Sequence, residues 1–429
     1  MTDYRNTVLY GHVNDSLRTL IDAGVKVNMV CTSPPYWNLR SYLPDDHPDK
    51  RYELGKEPTP ESYVENMVEV FRLVRELLAE DGTLWVNVGD KYAGSGSPGG
   101  DYNPGGKREG QRRATYAKLS GSLKRKDLCM IPAQLAIALR NDGWWLRSEI
   151  VWHKPAVLPE SVQDRPVRDH EMIYMFSKNE KYFYDPYAVQ EAASPDTYAR
   201  YARGRSQQHK YADGGPGGQT IARTMDHMLP PGVNPKAVEP GFGIRANESF
   251  SAAVKDVVGY RNLRTVWSIN TGQYKGAHFA TFPERIPEIA ILAGTSEHGH
   301  CPICHRGYKR IITKSAPLTE QQRACGADSQ GGYHGQATKE HEAHRAQNAS
   351  ETKKRILEGM RERTTTGWEP GCRCDAREPV RGIVLDPFLG SGTTALVAER
   401  LGRHWIGCEL NEEYRVLIEQ RTAQRGLFA

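Results

Sequence analysis

A glycine-rich turn lies near the end of the sequence, between an apolar run and a segment with helical character. Residues 382–395 spell Gly-Ile-Val-Leu-Asp-Pro-Phe-Leu-Gly-Ser-Gly-Thr-Thr-Ala. Gly390 and Gly392 allow positive φ and close approach of a ligand, and the start of the following helix offers free N–H groups. Glu409 ends the next apolar run, where a carboxylate can accept hydrogen bonds from both ribose hydroxyls of a nucleoside cofactor.

This turn by itself would also fit a dinucleotide-binding fingerprint. The preceding Asp386-Pro387-Phe388 favours another ligand, because a carboxylate at the end of the strand suits a cationic sulfonium or amino group better than a pyrophosphate. The predicted cofactor is therefore S-adenosylmethionine. A P-loop is disfavoured because the sequence has no GxxxxGK[ST] motif. The predicted cofactor contacts are Asp386, Pro387, Phe388, Gly390, Ser391, Gly392, Thr393, Thr394 and Glu409.

A second motif, Thr-Ser-Pro-Pro-Tyr-Trp over residues 32–37, follows an apolar run near the start of the sequence. Its two prolines fix φ and remove two N–H donors, so nearby carbonyl groups can face a cleft without local partners. A serine hydroxyl adds an acceptor, and a tyrosine ring adds a stacking surface. Acceptors beside an aromatic ring suit a planar base with an exocyclic amino group. The predicted catalytic residues are Ser33, Pro34, Pro35 and Tyr36.

Four of the eight cysteines form two close pairs, Cys301-x-x-Cys304 and Cys372-x-Cys374. Two pairs of thiolates suit one tetrahedral structural Zn²⁺, and disulfides are not expected in a long chain without an export signal. We predict a structural site, because no general base or open coordination position is evident. Reduced cysteines without a metal are the alternative. Further candidate ligands are Cys325, His300 and His305.

Strands and helices alternate around these motifs, which predicts a parallel sheet covered on both faces. A helix whose apolar residues begin at Tyr63 is predicted to end at Asp81-Gly82, directly before a buried strand. Two later runs, Met172–Phe176 and Lys181–Asp185, are typical of a hairpin at the sheet edge. The pattern disappears from about Pro186 to Asn262, and a structureless stretch of that length is usually functional or disordered.

The overall charge is mild, with 57 Lys and Arg against 52 Asp and Glu and a net charge of +5. Positive charge is concentrated in Ser95–Lys126, a stretch rich in Gly, Ser and Pro that suits a polyanion. No apolar run is long enough to span a membrane, and the N-terminal residues lack the order of a signal peptide. The sequence therefore predicts a cytoplasmic protein with no membrane partner.

Taken together, these motifs resemble the amino-group DNA methyltransferases, which methylate adenine N6 or cytosine N4. The order of the motifs matches the permuted β class, in which the catalytic motif precedes the cofactor motif. TSPPYWNLRSY is similar to the catalytic motif, DPFLGSGTT to the methionine-binding loop and GCELNEEY to the ribose-binding strand. HFATFPERI resembles a segment at the methionine end of the cofactor, which implies contacts from Phe279, Thr281 and Phe282.

One departure from the family lies near the first strand. Family members often have Gly-Asp directly after this strand, with the acid near the adenine of the cofactor. Here the order is Gly-His-Val-Asn-Asp over residues 11–15. The resemblance carries the adenine contact over to Asp15.

The resemblance implies a Rossmann-like S-adenosylmethionine-dependent methyltransferase fold, with a mixed seven-stranded sheet and helices on both faces. Double-stranded DNA is the expected partner, with the target base flipped out of the helix. A homodimer and a cognate restriction endonuclease, as a genetic rather than a physical partner, stay open. The implied parts are a catalytic half at 1–185 with a basic loop at 95–126, a target-recognition region at 186–262, a cofactor-binding half at 263–300 and 375–429, and a zinc-ribbon-like insertion at 301–374.

The family associates Ser-Pro-Pro-Tyr more with cytosine N4, and Asp- or Asn-Pro-Pro-Tyr more with adenine N6. Hydrogen bonds from the target amino group to the Ser33 hydroxyl and the Pro34 carbonyl would localise the nitrogen lone pair for in-line attack. Because serine is a weak acceptor, we expect the proton to leave late, to solvent. Cytosine C5 methylation is disfavoured, since no Pro-Cys nucleophile motif is present.

The predicted activity is thus cytosine-N4-specific methylation of duplex DNA. Four alternatives stay open at this point. They are an adenine-N6 enzyme on the same scaffold, a nicotinamide-dependent oxidoreductase, a non-catalytic zinc-containing nucleic-acid binder, and methylation of protein glutamine or RNA.

Overall fold

The structure is a computed structural model. It describes residues 2–39, 41–94, 123–157, 160, 162–192, 260–271, 282–314, 363–375 and 378–423. Most of the basic loop, most of the recognition region, Phe279, Thr281 and Cys325 lie outside the described residues. The chain divides into two units, one of residues 1–189, 264–311 and 367–429, and one of residues 190–263 and 312–366.

The described strands and helices alternate along much of the chain, as predicted. In chain order the strands are β1 (Thr7–Tyr10), β2 (Val27–Thr32), β3 (Leu78–Val88), β4 (Trp145–His153), β5 (His170–Ser177), β6 (Glu191–Ala192), β7 (Tyr260–Arg261), β8 (Val266–Ser268), β9 (Lys309–Lys314), β10 (Arg363–Glu369), β11 (Ile383–Asp386) and β12 (His404–Glu409). The α-helices are α1 (Val13–Asp22), α2 (Pro60–Leu77), α3 (Ile131–Asn141), α4 (Arg285–Gly294), α5 (Thr393–Arg400) and α6 (Tyr414–Ala423).

The first unit is built on a mixed sheet with the strand order β1-β12-β11-β2-β3-β5-β4-β8. Strand β5 runs antiparallel to both of its neighbours, and the other neighbouring pairs are parallel. The predicted fold class is confirmed. The sheet has eight strands rather than seven, because the short strand β8 pairs with β4 and extends the edge.

The predicted hairpin of Met172–Phe176 and Lys181–Asp185 is wrong. Strand β5 contains the first run, but it pairs with β3 on one side and β4 on the other, inside the sheet. The second run is not a strand. Its Phe183 is buried, and its backbone N–H donates to the Asp81 carbonyl at 2.8 Å. The aromatic residues of this run therefore pack beside the sheet. Their apolar character resembles that of a strand in the sequence, although the run does not pair with a strand.

Helix α2 shows how the helices cover the sheet. Thr59 caps its N-terminus, accepting from the Ser62 N–H at 3.1 Å, and Pro60 occupies the first turn. The helix ends at Leu77 rather than at Asp81-Gly82, because β3 begins at the next residue. Its apolar face joins the core through Tyr63, Val64, Met67, Val68, Val70, Phe71, Val74 and Leu77.

The second unit contains a short antiparallel pair of strands, β6 and β7. The Arg261 guanidinium forms an ion pair with Glu191 at 3.0 Å. Strands β9 and β10 form a further two-stranded sheet.

No helix in the described part of the chain has the length and apolar character needed to cross a bilayer.

A buried amide links the amino ends of the central strands β2 and β11. Asn28 is 5% exposed, and its Oδ1 accepts from the Ile383 N–H at 2.8 Å. Its Nδ2 donates to the His305 carbonyl at 2.8 Å. These bonds connect β2 with the start of β11 and with the segment that carries the first cysteine pair.

We predict that Asn28→Ala lowers the free energy of unfolding by about 2 kcal/mol, because it leaves the Ile383 N–H without its partner and removes a donor from the His305 carbonyl. Urea denaturation measures the change. The matched control is Asn179→Ala, whose amide donates to the Glu80 carbonyl in an exposed setting where water can replace it. An equal loss in the two variants would contradict the role given to Asn28.

Candidate active site

The two chemical motifs follow neighbouring strands, although they lie more than 350 residues apart. Strands β2 and β11 are parallel, with Met29 opposite Val384 and Val30 opposite Leu385. Parallel strands end at the same edge of a sheet, which is where open α/β folds bind ligands. The Thr32 hydroxyl donates to Asp386 Oδ1 at 2.6 Å across this edge. The Ser-Pro-Pro-Tyr segment and the glycine-rich turn therefore begin side by side.

Asp386 organises the glycine-rich turn from behind. It is 1% exposed, and its carboxylate also accepts from the Phe388 N–H at 3.0 Å and the Thr394 hydroxyl at 2.7 Å. Burial raises the pKa of Asp386 to about 6, although these three hydrogen bonds oppose the shift. The structure thus directs this carboxylate inward, whereas the sequence suggested a direct contact with a cationic ligand.

A cavity of about 320 Å³ lies at this edge and is lined by residues of both motifs. Its wall also includes Glu409 and Phe282. Gly392, Thr394 and Asp386 are not part of the wall, and they support the turn from inside. The residues of the two motifs that line the cavity are Ser33, Pro34, Pro35, Tyr36, Pro387, Phe388, Leu389, Gly390, Ser391 and Thr393.

The structure does not bring Asp15 to the cavity. Its side chain lies in the first turn of α1, is 73% exposed and pairs with Arg18 at 3.3 Å. Gly11 and Val13 of the same segment do line the cavity. After β1, the cavity wall is therefore formed by Gly11 and the apolar side chain of Val13, and not by the acid that the family pattern would place there.

Glu409 is a carboxylate in the wall whose geometry suits a polar ligand. Its Oε2 accepts from the Gly390 N–H at 2.7 Å, and its Oε1 accepts from the Asn411 N–H at 2.9 Å. Burial raises the pKa of Glu409 to about 7, against the effect of these bonds. Each oxygen keeps a further lone pair, so the group can still accept hydrogen bonds from two hydroxyls.

A polar network around Tyr36 was not predicted from the sequence. The Tyr36 hydroxyl donates to Glu171 Oε2 at 2.6 Å, and the Ser33 hydroxyl donates to the Tyr36 oxygen at 3.3 Å. Asn87 Oδ1 lies 3.0 Å from the Tyr36 oxygen, and Lys154 Nζ pairs with Glu171 Oε1. All these residues line the cavity. Lys154 and Glu171 reach this edge because β4 and β5 pair in antiparallel orientation. The sequence did not reveal that pairing.

The ring of Tyr36 lies against Gly89, just beyond the end of β3. A Cβ added at Gly89 would lie 2.3 Å from Tyr36 Cε2, so only glycine permits this contact. The neighbouring Trp37 is 4% exposed and donates its indole N–H to the Glu57 carbonyl at 2.9 Å. Trp37 belongs to the core and does not close the cavity, whereas Tyr36 faces it.

A buried arginine of α6 also holds the glycine-rich turn. Arg421 is 6% exposed and donates to the Ser391 hydroxyl at 2.7 Å and the Thr393 hydroxyl at 3.0 Å. Nothing in the sequence pointed to this residue, because a lone arginine in a helix is usually exposed. The turn is therefore fixed by a cation from one side and by the Asp386 carboxylate from the other.

The four paired cysteines converge at a separate place in the first unit. The sulfur atoms of Cys301, Cys304, Cys372 and Cys374 all lie within 4.8 Å of one another. Tetrahedral Zn–S bonds of about 2.3 Å require sulfur separations of about 3.8 Å, so the cluster has the right size for one ion. Cys301 is fully buried, and the other three are partly buried.

The thiols of this cluster influence one another. Burial would raise the pKa of Cys301, but backbone N–H groups of Cys304 and Ile303 lower it to about 7. Burial raises the pKa of Cys304 to about 12, and the sulfurs of Cys372 and Cys374 add to this. Four sulfurs in so small a volume cannot all ionise without a cation, which is the electrostatic setting that a Zn²⁺ ion resolves.

The two histidines considered as further ligands lie outside the cluster. His300 is 1% exposed, its Nε2 accepts from the Ser296 N–H at 3.2 Å, and its Nδ1 lies 2.9 Å from the Asn28 amide nitrogen. His305 contributes its backbone carbonyl to Asn28. The remaining thiols of the described residues, Cys31, Cys129 and Cys408, are buried, as expected for packing residues.

Comparison with known proteins gives relatives along nearly the whole chain. The type II methyltransferase M.Cfr9I of Citrobacter freundii is 36% identical over 409 residues, covering 95% of this chain and 84% of that protein. M.SmaI of Serratia marcescens is 30% identical over 396 residues, covering 92% and 84%. A solved structure described as PvuII DNA methyltransferase (cytosine-N4-specific) aligns with 98% of this chain and 86% of its own, at 15% identity and a TM-score of 0.43.

The family model for N6/N4 methyltransferases, described as DNA methylase, matches residues 27–301 and 328–420. This match covers both motifs of the cavity, from the Ser-Pro-Pro-Tyr segment to the strand that carries Glu409. The resemblance drawn from the sequence is confirmed at the level of the family. The chain belongs to the N6/N4 family of DNA methylases.

Proposed function

We propose that this protein transfers a methyl group from S-adenosylmethionine to the N4 nitrogen of cytosine in duplex DNA. The observation that carries the proposal is that Ser33-Pro34-Pro35-Tyr36 and the turn at Gly390 line the same cavity. A methyl donor held by the turn and an amino group held by the Ser-Pro-Pro-Tyr segment would meet there. Ser33, in place of aspartate or asparagine, supports cytosine over adenine.

The residues around the cavity suggest how the cofactor is held. We assign the ribose hydroxyls to Glu409 and the methionine end to the turn at Gly390 and to Phe282, which all line the wall. Asp386 and Arg421 shape this turn without reaching the cavity. When bound, S-adenosylmethionine supplies an electrophilic methyl group. Predicted contacts from Phe279 and Thr281 stay predictions, since both lie outside the described residues.

The target amino group is assigned to the opposite wall. Its two N–H groups would donate to the Ser33 hydroxyl and the Pro34 carbonyl. These two hydrogen bonds would localise the lone pair on the nitrogen and direct it toward the methyl carbon. The Tyr36 ring would stack on the base, with its own position fixed by Gly89 and Glu171. A base inside a duplex cannot reach such a cavity, so the mechanism requires base flipping.

The names of the relatives support a place in a type II modification system, with a cognate restriction endonuclease as a genetic partner. A basic loop at 95–126 and a recognition region at 186–262 remain the predicted DNA-binding parts. A cytoplasmic location and a homodimer stay predictions from the sequence. Adenine N6 is the second candidate target, because the family includes both amino groups.

Modified-base analysis tests the proposal directly. We expect duplex DNA treated with the wild-type protein and S-adenosylmethionine to contain N4-methylcytosine by nucleoside mass spectrometry. Ser33→Ala should reduce turnover by about 100-fold or more with little change in cofactor affinity, because it removes only a contact to the target. Asp386→Ala should mainly weaken cofactor binding, because it releases the turn. Finding only N6-methyladenine would reverse the assignment of the base.

The raised pKa of Glu409 predicts that cofactor affinity depends on pH. The ionised carboxylate accepts from the ribose hydroxyls, so affinity for S-adenosylhomocysteine should rise with pH up to about 7 and level off above it. Below pH 6 we expect a fall of roughly tenfold per pH unit, because one proton must leave. Calorimetric titration measures the affinity. Glu409→Gln should bind more weakly and show a flatter profile, and an unchanged slope would contradict the assignment.

We further propose that Cys301, Cys304, Cys372 and Cys374 hold one structural Zn²⁺. The purified protein should contain about one zinc per chain by elemental analysis, and Cys372→Ser with Cys374→Ser should lose it, because a structural zinc site uses four ligands. Removal of the metal should also lower the melting temperature. Cys129→Ala, which changes a buried thiol outside the cluster, is the control. Full stability of a zinc-free wild-type protein would contradict the proposal.

A further inference from the structure

Three oxygen-bearing side chains form a continuous path from the predicted position of the target amino group into the protein. The Ser33 hydroxyl donates to the Tyr36 oxygen at 3.3 Å, and the Tyr36 hydroxyl donates to Glu171 Oε2 at 2.6 Å. Ser33 and Tyr36 follow β2, whereas Glu171 lies at the start of β5. All three line the same cavity.

The direction of the hydrogen bonds in this path is defined by the chemistry of its members. Tyr36 has a single hydroxyl proton, and the carboxylate at 2.6 Å is a stronger acceptor than the amide oxygen of Asn87 at 3.0 Å. Burial and the nearby Glu171 carboxylate raise the pKa of Tyr36 well above its ordinary value, so the phenol keeps this proton. Asn87 uses its Nδ2 to donate to the Met172 carbonyl at 3.2 Å, so only its oxygen faces the two hydroxyls.

Methylation of an amino group leaves one proton in excess on the nitrogen. A serine hydroxyl is a weak base, so it can take this proton only if it gives up its own at the same time. We propose that Glu171 is the proton acceptor of the reaction, acting through Tyr36 and Ser33. The inference rests on the proposed transfer to an amino group, and it holds for cytosine N4 and adenine N6 alike.

The target nitrogen forms a bond to the methyl carbon while the methyl–sulfur bond breaks, and the sulfur keeps the electron pair. A proton then moves from the nitrogen to Ser33 Oγ, the Ser33 proton moves to Tyr36 Oη, and the Tyr36 proton moves to Glu171 Oε2. Both hydroxyls end as they began, and the net change is one proton on Glu171.

The surroundings of Glu171 give it a cationic partner and access to solvent. Lys154, which follows β4, forms an ion pair with its other oxygen. Among the described residues, the other polar side chains that bond to Tyr36 or Glu171 are Ser33 and Asn87, which contact Tyr36, and Lys154, which pairs with Glu171. The Glu171 side chain is 17% exposed, so its proton can return to solvent after the product leaves.

Glu171→Gln tests the relay, because a glutamine carbonyl can still accept from Tyr36 but cannot take its proton. With saturating S-adenosylmethionine, so that Glu409 does not affect the result, we expect the single-turnover rate to fall about 100-fold. Calorimetric titration with S-adenosylhomocysteine should show unchanged affinity, which verifies that the variant has folded.

Tyr36→Phe interrupts the path and leaves Glu171 in place. Its rate should match that of Glu171→Gln and should not fall further in the double variant, because both changes remove the same relay. A Glu171→Gln rate near that of the wild type would show that Glu171 only positions Tyr36. That result would overturn the inference and leave methylation intact, whereas absence of any amino-methylated base with wild-type protein would overturn the proposed function.

Discussion

The pairing of β2 with β11 is the constraint on which the site depends. These strands come from opposite ends of the chain, and buried side chains connect them at both ends. Asn28 bonds the start of β11, and Thr32 bonds Asp386 at its carboxyl end. Buried hydrogen bonds of this kind fix register, because a slip would leave several polar groups without partners. The Ser-Pro-Pro-Tyr segment and the glycine-rich turn are thereby held in one relation to each other.

The carboxylates near the cavity carry an electrostatic cost without a ligand. The pKa of Asp386 is raised to about 6 and that of Glu409 to about 7, chiefly by burial. For Asp386, the folded-state pKa lies above the ordinary value of 3.8, so its contribution to stability is present below pH 3.8 and is lost as pH rises through 6. A ligand whose hydroxyl groups donate to Glu409 would offset the part of this cost that comes from Glu409, which fits the cofactor that we propose.

The candidate active site and the cysteine cluster are connected to opposite ends of the same strand. Asn28, near the amino end of β2, bonds the segment that carries Cys301 and Cys304, while Ser33 follows its carboxyl end. The Asp81 carboxylate adds a second link by accepting from the Gly307 N–H at 3.0 Å. The cluster is therefore connected to the end of β2 away from the candidate active site, which supports the structural role that we propose for its metal.

The sequence by itself determined the chemical motifs, the cysteine pairs, most strands and helices, and the family, because each depends on local residue order and spacing. It could not determine that β5 enters the sheet between β3 and β4, since strand pairing depends on distant partners. That pairing brings Glu171 and Lys154 to Tyr36, and the packing of α6 brings Arg421 to the turn. Asp386 was identified from the sequence, but the inward direction of its carboxylate follows from Thr32 and Thr394, which only the folded chain places beside it. Functional residue types can thus be identified from the local sequence, whereas their orientation and hydrogen-bond partners depend on tertiary packing.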